Sequence, residues 1–514
     1  MNLLKAFTTI SGFTMMSRIL GFARDILVAA ILGAGMVADA FFIAFKLPNL
    51  FRRLFAEGAF NAAFVPLFAG KLEGEGEEAA RRFGRETFAL LLWSLLVLTL
   101  IMEIAMPWVM RAVVPGFLDD PEKFDLAVTL TRITFPYLLF ISLVALLGGV
   151  LNSLMRFAAA AATPILLNLC LIAAILAATP FLPTPGHALA WGVAGAGLVQ
   201  FLWLLWHAGR SGFWPRIMGP IWNDDTKLLV KRVIPGAIGA GIYQVNLVVD
   251  MIIASLLPEG SISYLFFADR MTQLPLGVIG VAVGTALLPM LARQLRAGDE
   301  AGAHNSQNRA LEFTLLLTLP AAVAFAVLPE PVVVTLFQRG EFDPVAAQAT
   351  AMALMAYAFG LPAYVLNKTL TPGFFARGDT ATPMKIAAVA MVANVVFNLI
   401  LMGPFLHVGL AMATVISAWI NTALLAFFLA RRGHLSLDRR FLGRLPRTLV
   451  ACAGMGAALW FLREPLAPWL AGAEWERIGA LAALVGAGLV SFGLLAMITG
   501  AARPSDLKSL TRKG

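Results

Sequence analysis

The sequence predicts an all-α polytopic membrane protein with about fourteen transmembrane helices. Of its 514 residues, 59% are hydrophobic and only 13% charged, whereas soluble globular domains carry roughly a quarter charged residues. Mean hydropathy is +0.81. Apolar runs of about 20 residues recur from end to end, each long enough to cross a hydrocarbon core about 30 Å thick as a helix. Lipid offers no partner for an open backbone hydrogen bond, so such runs close their own as helices.

Six runs form a first group at 7–32, 37–69, 87–110, 124–151, 158–178 and 187–206. The first of these is interrupted by Arg18, Arg24 and Asp25, which exclude a cleavable signal peptide. The second contains Pro48, so a broken helix is expected there. A second group follows at 226–257, 261–293, 310–328, 347–375, 383–401 and 408–430; Gly277, Gly280 and Gly284 in its second run permit close approach or bending. Two further runs, 445–462 and 475–499, are rich in small residues. The expected division is 1–210 as a first lobe, 224–432 as a second, and 443–500 as a C-terminal pair.

An even number of crossings puts both termini on one side, and the distribution of bases places that side in the cytoplasm. The inner loops then hold Arg81, Arg82 and Arg85, Arg210 and Arg216, Lys227, Lys231 and Arg232, Arg293 and Arg296, and the cluster from Arg431 to Arg447. The outer loops offer little beyond Arg111, Lys123, Arg339 and Arg463. This topology accounts for the net charge of +9, with the bases facing anionic lipid head groups rather than nucleic acid.

An internal repeat relates the two groups. FNAAFVPLFAGKLEG from Phe60 answers VGTALLPMLARQLRAGD from Val283, an offset of about 223. Upstream, RDILVAAILGAGMVADAFFIAF answers VDMIIASLLPEGSISYLFFADR, with Asp25 opposite Asp250 and the offset two residues larger. About six helices separate equivalent positions, so the halves share one topology.

Polar residues inside the runs are the candidates for function. At 100° per residue, Ser11, Thr14, Ser17, Arg18, Gly21, Arg24 and Asp25 fall within an arc of roughly 140° on the first helix. In the second run Asp39, Lys46, Arg53 and Glu57 recur at spacings of seven or four, with Asn49 beside Pro48. The run from 261 adds Ser263, Asp269, Arg270 and Gln273. A charge at the bilayer centre costs about 2.5–3.5 kcal/mol, so these groups face a wet or paired interior. A cationic cavity would suit phosphate or carboxylate, which arginine binds through two parallel hydrogen bonds. The competing reading is internal pairing, such as Arg24 with Asp39, or snorkelling to the interface.

Asp250, near Gln244 and Asn246, is either a cation or proton site or a partner for an arginine. Cys170 and Cys452 lie far apart in apolar runs and read as packing residues. The five histidines form no zinc pattern, and no nucleotide loop or nucleophile elbow is present, so neither a metal nor an organic cofactor is expected.

The stretch SRILGFARDILVAAILGAGMVADAFFIAFKLPNLFRRLFAEGAFNAAFVPLF resembles the MurJ/MviN family of lipid II flippases, as do ITFPYLLFISLVALLGGVLNS, FFADRMTQLPLGVIGVAVGTALLP and TLTPGFFARGDTATPMKIA. The likeness runs the length of the chain. It implies the fold of the multidrug/oligosaccharidyl-lipid/polysaccharide exporters: two six-helix lobes around a central cavity, with two C-terminal helices bordering a lipid-tail groove. It implies transport, not catalysis, of an undecaprenyl-pyrophosphate bearing a disaccharide-pentapeptide across the bacterial cytoplasmic membrane.

The cavity arginines of that family fall on Arg18, Arg24 and Arg270, with Arg52, Asp39 and Glu57 at further sensitive positions and Ser17, Asn49 and Ser263 as supporting polar residues. The implied partners are lipid II, the phospholipid bilayer and cell-wall synthesis or division proteins. Coupling to the membrane potential or to a monovalent ion at Asp250 is the expected energy source. A flippase for another polyprenyl-linked glycan, or a drug/cation antiporter of the same superfamily, is the alternative.

Overall fold

The computed structural model describes residues 3–53 and 60–503. Among the described residues it contains seventeen α-helices and no strand, and helix occupies every one of the fourteen runs. Nine helical segments among them are long and apolar enough to cross a membrane.

The first run is α1 (Leu3–Leu32), and the second divides into α2 (Met36–Arg52) and α3 (Phe60–Gly74). After α4 (Glu77–Val113), the fourth run divides at Pro136 into α5 (Pro121–Thr134) and α6 (Tyr137–Ser153). Then come α7 (Phe157–Ala177), α8 (Pro185–Arg210), α9 (Asp224–Ser255), α10 (Ser261–Arg296) and α11 (Glu300–Val327). A short α12 (Pro329–Phe337) falls between two runs, and the next run divides into α13 (Pro344–Ala358) and α14 (Leu361–Phe375). The chain ends with α15 (Ala381–Arg431), α16 (Arg439–Leu470) and α17 (Glu474–Thr499).

Two local devices accommodate irregularities within these helices, and the break expected at Pro48 is absent, since α2 runs through it to Arg52. Pro48 has no N–H, which leaves the carbonyl of Ala44 without its helical donor; the Thr134 hydroxyl of α5 donates to that carbonyl at 2.8 Å. α15 holds two runs joined at Leu406, whose φ of 49° and ψ of −130° are non-helical. The turn is tight enough that a Cβ on Gly409 would lie 2.2 Å from the Leu401 carbonyl oxygen.

The chain forms two compact units, Met1–Ser263 with Arg339–Phe342, and Tyr264–Gln338 with Asp343–Gly514. In the first, α1 packs on α7, α7 and α6 on α8, and α2 on α5, while α9 lies on α3 and α4. Phe60, Phe64, Phe68, Phe83 and Phe213 form a chain of ring contacts through it. The segment 339–342 is held there because the Glu341 N–H donates to the Ala30 carbonyl at 2.8 Å. In the second, α16 and α17 form a hairpin, α11 packs on α14 and α16, and α14 packs on α15 around Leu311, Leu366, Leu370, Phe374 and Leu425. At its polar rim, Asp379 accepts from Thr382 and Arg432, which hold its carboxyl well below the usual carboxylate range.

Candidate functional site

α1 carries the central feature of the first unit. Its tight packing on α7 buries Arg24 to 8% and Asp25 to 4% exposure. Nε and Nη2 of Arg24 donate to Asp25 Oδ1 at 3.1 and 2.6 Å, and Nη1 donates to Asn168 Oδ1 of α7 at 2.9 Å. Asn168 in turn donates to the Ser17 carbonyl at 2.9 Å and is in reach of its hydroxyl. A Cβ at Gly21 would stand 3.5 Å from the Asn168 amide, in ordinary van der Waals contact with it.

The guanidinium is thereby fixed in plane, with three of its five N–H groups used. The remaining two, one on each terminal nitrogen, are donors of the kind that recognise phosphate or carboxylate. Because Asp25 offsets the charge of Arg24, half-buried Arg18 supplies the net positive charge of this face.

Arg24 therefore pairs with Asp25 and Asn168, not with Asp39. Asp39 is 1% exposed and accepts four hydrogen bonds: from Lys123 Nζ at 3.0 Å, the Gly260 and Ser263 N–H groups at 2.8 and 3.0 Å, and the Ser263 hydroxyl at 2.7 Å. Its carboxylate thus caps the start of α10 while neutralising a lysine from α5. Conversely, Glu259 Oε1 accepts from the Met36 N–H at 2.6 Å and caps the start of α2. Lys123, read from sequence as an outer-loop base, is buried, with its ammonium 4.4 Å from the Phe117 ring centroid.

Asn49 uses its amide on the Phe45 carbonyl at 2.7 Å, one turn back in α2. Arg52 lines a cavity of about 200 Å³ inside the first unit. Glu57 lies outside the described residues. Asp250 accepts from Asn246 at 3.1 Å on α9. In the second unit, the Arg270 guanidinium stands 4.8 Å from the Phe266 ring centroid and reaches Gln273 at 3.5 Å, while Gln273 also pairs with Asp269.

The structure thus brings together Ser17, Arg24 and Asp25, and separately Asp39 and Ser263. Asn168 and Lys123 complete these two networks; the sequence reading did not single out Asn168 and took Lys123 only for an outer-loop base. The one available signal for Asn168 was a lone amide within an apolar run. Among the described residues no group of three or more His, Cys, Asp or Glu is placed to hold a metal.

Membrane-length helices that bury cations in their interior define an all-helical membrane protein. In fold the chain is similar to an inward-facing multidrug resistance MATE family transporter of the MOP superfamily, with a TM-score of 0.66 at 17% identity over 83% of this chain and 97% of that one. The chain belongs to the lipid II flippase MurJ family, whose family model matches residues 28–478. It is 46% identical over 521 residues to a probable lipid II flippase MurJ of Rhizobium meliloti, covering 100% of this chain and 97% of that one. A probable lipid II flippase MurJ of Vibrio cholerae is 38% identical over 99% of this chain and 98% of its own length. A solved structure of lipid II flippase MurJ in an inward closed conformation is similar, with a TM-score of 0.78 at 25% identity over 98% of this chain and 99% of that one.

Proposed function

We propose that this protein flips lipid II from the inner to the outer leaflet of the bacterial cytoplasmic membrane by alternating access, with both termini cytoplasmic. The observation that carries this reading is 46% identity, end to end, with a probable lipid II flippase. No covalent bond of the cargo changes. The anionic pyrophosphate engages Arg18 and the two unused N–H groups of Arg24, with Arg270 as a further cargo residue. Asp39, Ser263 and Asn49 support helix geometry, and Arg52 belongs to the cavity wall. The membrane potential, or a monovalent ion near Asp250 and Asn246, supplies the driving force. A drug/cation antiporter would need buried carboxylates with uncommitted charge, whereas Asp25 and Asp39 are each paired with a base.

Cells depleted of their own flippase and supplied with Arg24→Ala are expected to stop growing while the variant accumulates in the membrane at the wild-type level. Arg24→Lys is expected to fail too, because one ammonium cannot hold Asp25 and Asn168 and still offer two further N–H groups. Normal growth with either variant would remove Arg24 from the cargo site.

A further inference from the structure

α4 carries a single carboxyl group inside its apolar run 87–110, that of Glu103. Trp93, Val97, Leu100, Ile104 and Trp108 of this helix are exposed and recur every three or four residues, which marks the stripe that faces hydrocarbon. Glu103 lies about 60° around the helix from Leu100, at the edge of that stripe. Along the axis it is about 7 Å from the middle of the run.

Oε1 of Glu103 is buried and makes no hydrogen bond. Thr99 stands one turn earlier on the same face, and its hydroxyl is also buried without a partner. The neighbouring base is Arg132 of α5, whose Nε donates to the backbone carbonyl of Glu103 at 3.0 Å and not to its carboxyl. Arg132 is exposed, and its long stem allows its charge to reach the interface. The other elements packed on α4 bring Lys71 and Glu73 of α3, Tyr137 of α6, Asp250 and the charges at 224–232 of α9, and Asp119 of the turn 115–119. α5 adds Glu122 and Asp125 at its start, with Lys123 held by Asp39. Among the described residues Arg132 is the one charged group that acts on the Glu103 carboxyl.

A carboxylate spreads its charge over both oxygens, so an ionised Glu103 would leave part of that charge buried with neither water nor donor. Protonation removes the charge and leaves an acid whose O–H can donate to the Thr99 hydroxyl. A proton needs no water-sized space around these atoms. The opposite state is also provided for, because Arg132 is bonded to the same residue that bears the carboxyl. A change of side-chain rotamer brings carboxylate and guanidinium together.

We infer that Glu103 is a proton-binding site within the membrane span, neutral in this arrangement and turning from Thr99 to pair with Arg132 when its proton leaves. The proton is the whole of the ligand, taken from water and returned to it as hydronium. No group of the cargo takes part, so the site is tested separately from the flippase reading.

The test is the infrared spectrum of purified protein in nanodiscs at neutral pH, in the region where protonated carboxylic acids absorb and carboxylates do not. Wild-type protein is expected to show a protonated-carboxyl band that is lost in Glu103→Gln and shifts to lower frequency in D2O. Thr99→Val keeps the side-chain volume and is expected to shift the same band upward, since the acid loses its acceptor; this assigns the band even if Glu103→Gln fails to insert. Arg132→Met is expected to retain the band at its wild-type intensity. A band that appears only in Arg132→Met would show that the wild-type carboxylate is ionised and paired, and would overturn the site. A wild-type spectrum unchanged by both Glu103→Gln and Thr99→Val would overturn it as well, and a band insensitive to D2O would show a proton sealed from water and overturn the exchange.

Discussion

Asp39 and Lys123 are 84 positions apart and have opposite charges, and they meet in a site where neither touches much solvent. Removing one member of a buried ion pair costs about 3–5 kcal/mol, because the other is left buried and uncompensated. Asp39→Asn keeps the shape but strands the ammonium, so a marked fall in thermal stability is expected. Lys123→Met is expected to cost less, since Asp39 retains three donors from Gly260 and Ser263. The double variant should then lose less than the sum of the two, with a coupling of about 1–3 kcal/mol in a double-mutant cycle. A coupling near zero would show that the pair contributes nothing beyond its separate hydrogen bonds. At this scale the sequence was legible for residue identity and illegible for partnership. Helical periodicity placed Arg24 and Asp25 on one face of α1, but Asn168 lies 144 positions away, and no local pattern encodes a contact at that distance.

Element boundaries were legible where a polar gap marked them, as between α7 and α8, whereas Pro48, read as a break, lies inside α2. α12 was missed because its nine residues are too short to register as a membrane run. The break within α15 was visible only as a gap between two runs. Its geometry was not, since Leu is the wrong residue to advertise a left-handed turn. A non-glycine residue with positive φ costs about 1–2 kcal/mol, which glycine does not incur. Leu406→Gly is therefore expected to raise thermal stability by about 1 kcal/mol, and Gly409→Ala to lower it, because its new Cβ would meet the Leu401 carbonyl oxygen at 2.2 Å. Thermal melts of the two purified variants test this directly. A destabilised Leu406→Gly would mean that the leucine side chain contributes more than its backbone strain costs.

At the scale of the whole molecule, the repeat seen in the sequence has a structural counterpart. Met36 and Glu259 are 223 positions apart, and Asp39 and Ser263 are 224 apart, so each repeat supplies the carboxylate that caps the other's second helix. The offset found in apolar blocks thus returns as a reciprocal exchange of N-terminal caps, where a carboxylate also meets the positive end of the helix dipole. For the proposed flipping of a charged cargo, the membrane potential contributes about 2.3 kcal/mol per elementary charge per 100 mV. If outward passage of the pyrophosphate moves one net negative charge, an inside-negative potential of about 100 mV favours it up to about fortyfold at equilibrium. Proteoliposomes given a potassium diffusion potential are expected to move labelled lipid II outward faster when the interior is negative and slower when the polarity is reversed. Equal rates at both polarities, with transport still dependent on Arg24, would exclude the potential as the driver and leave an ion near Asp250 to supply the work.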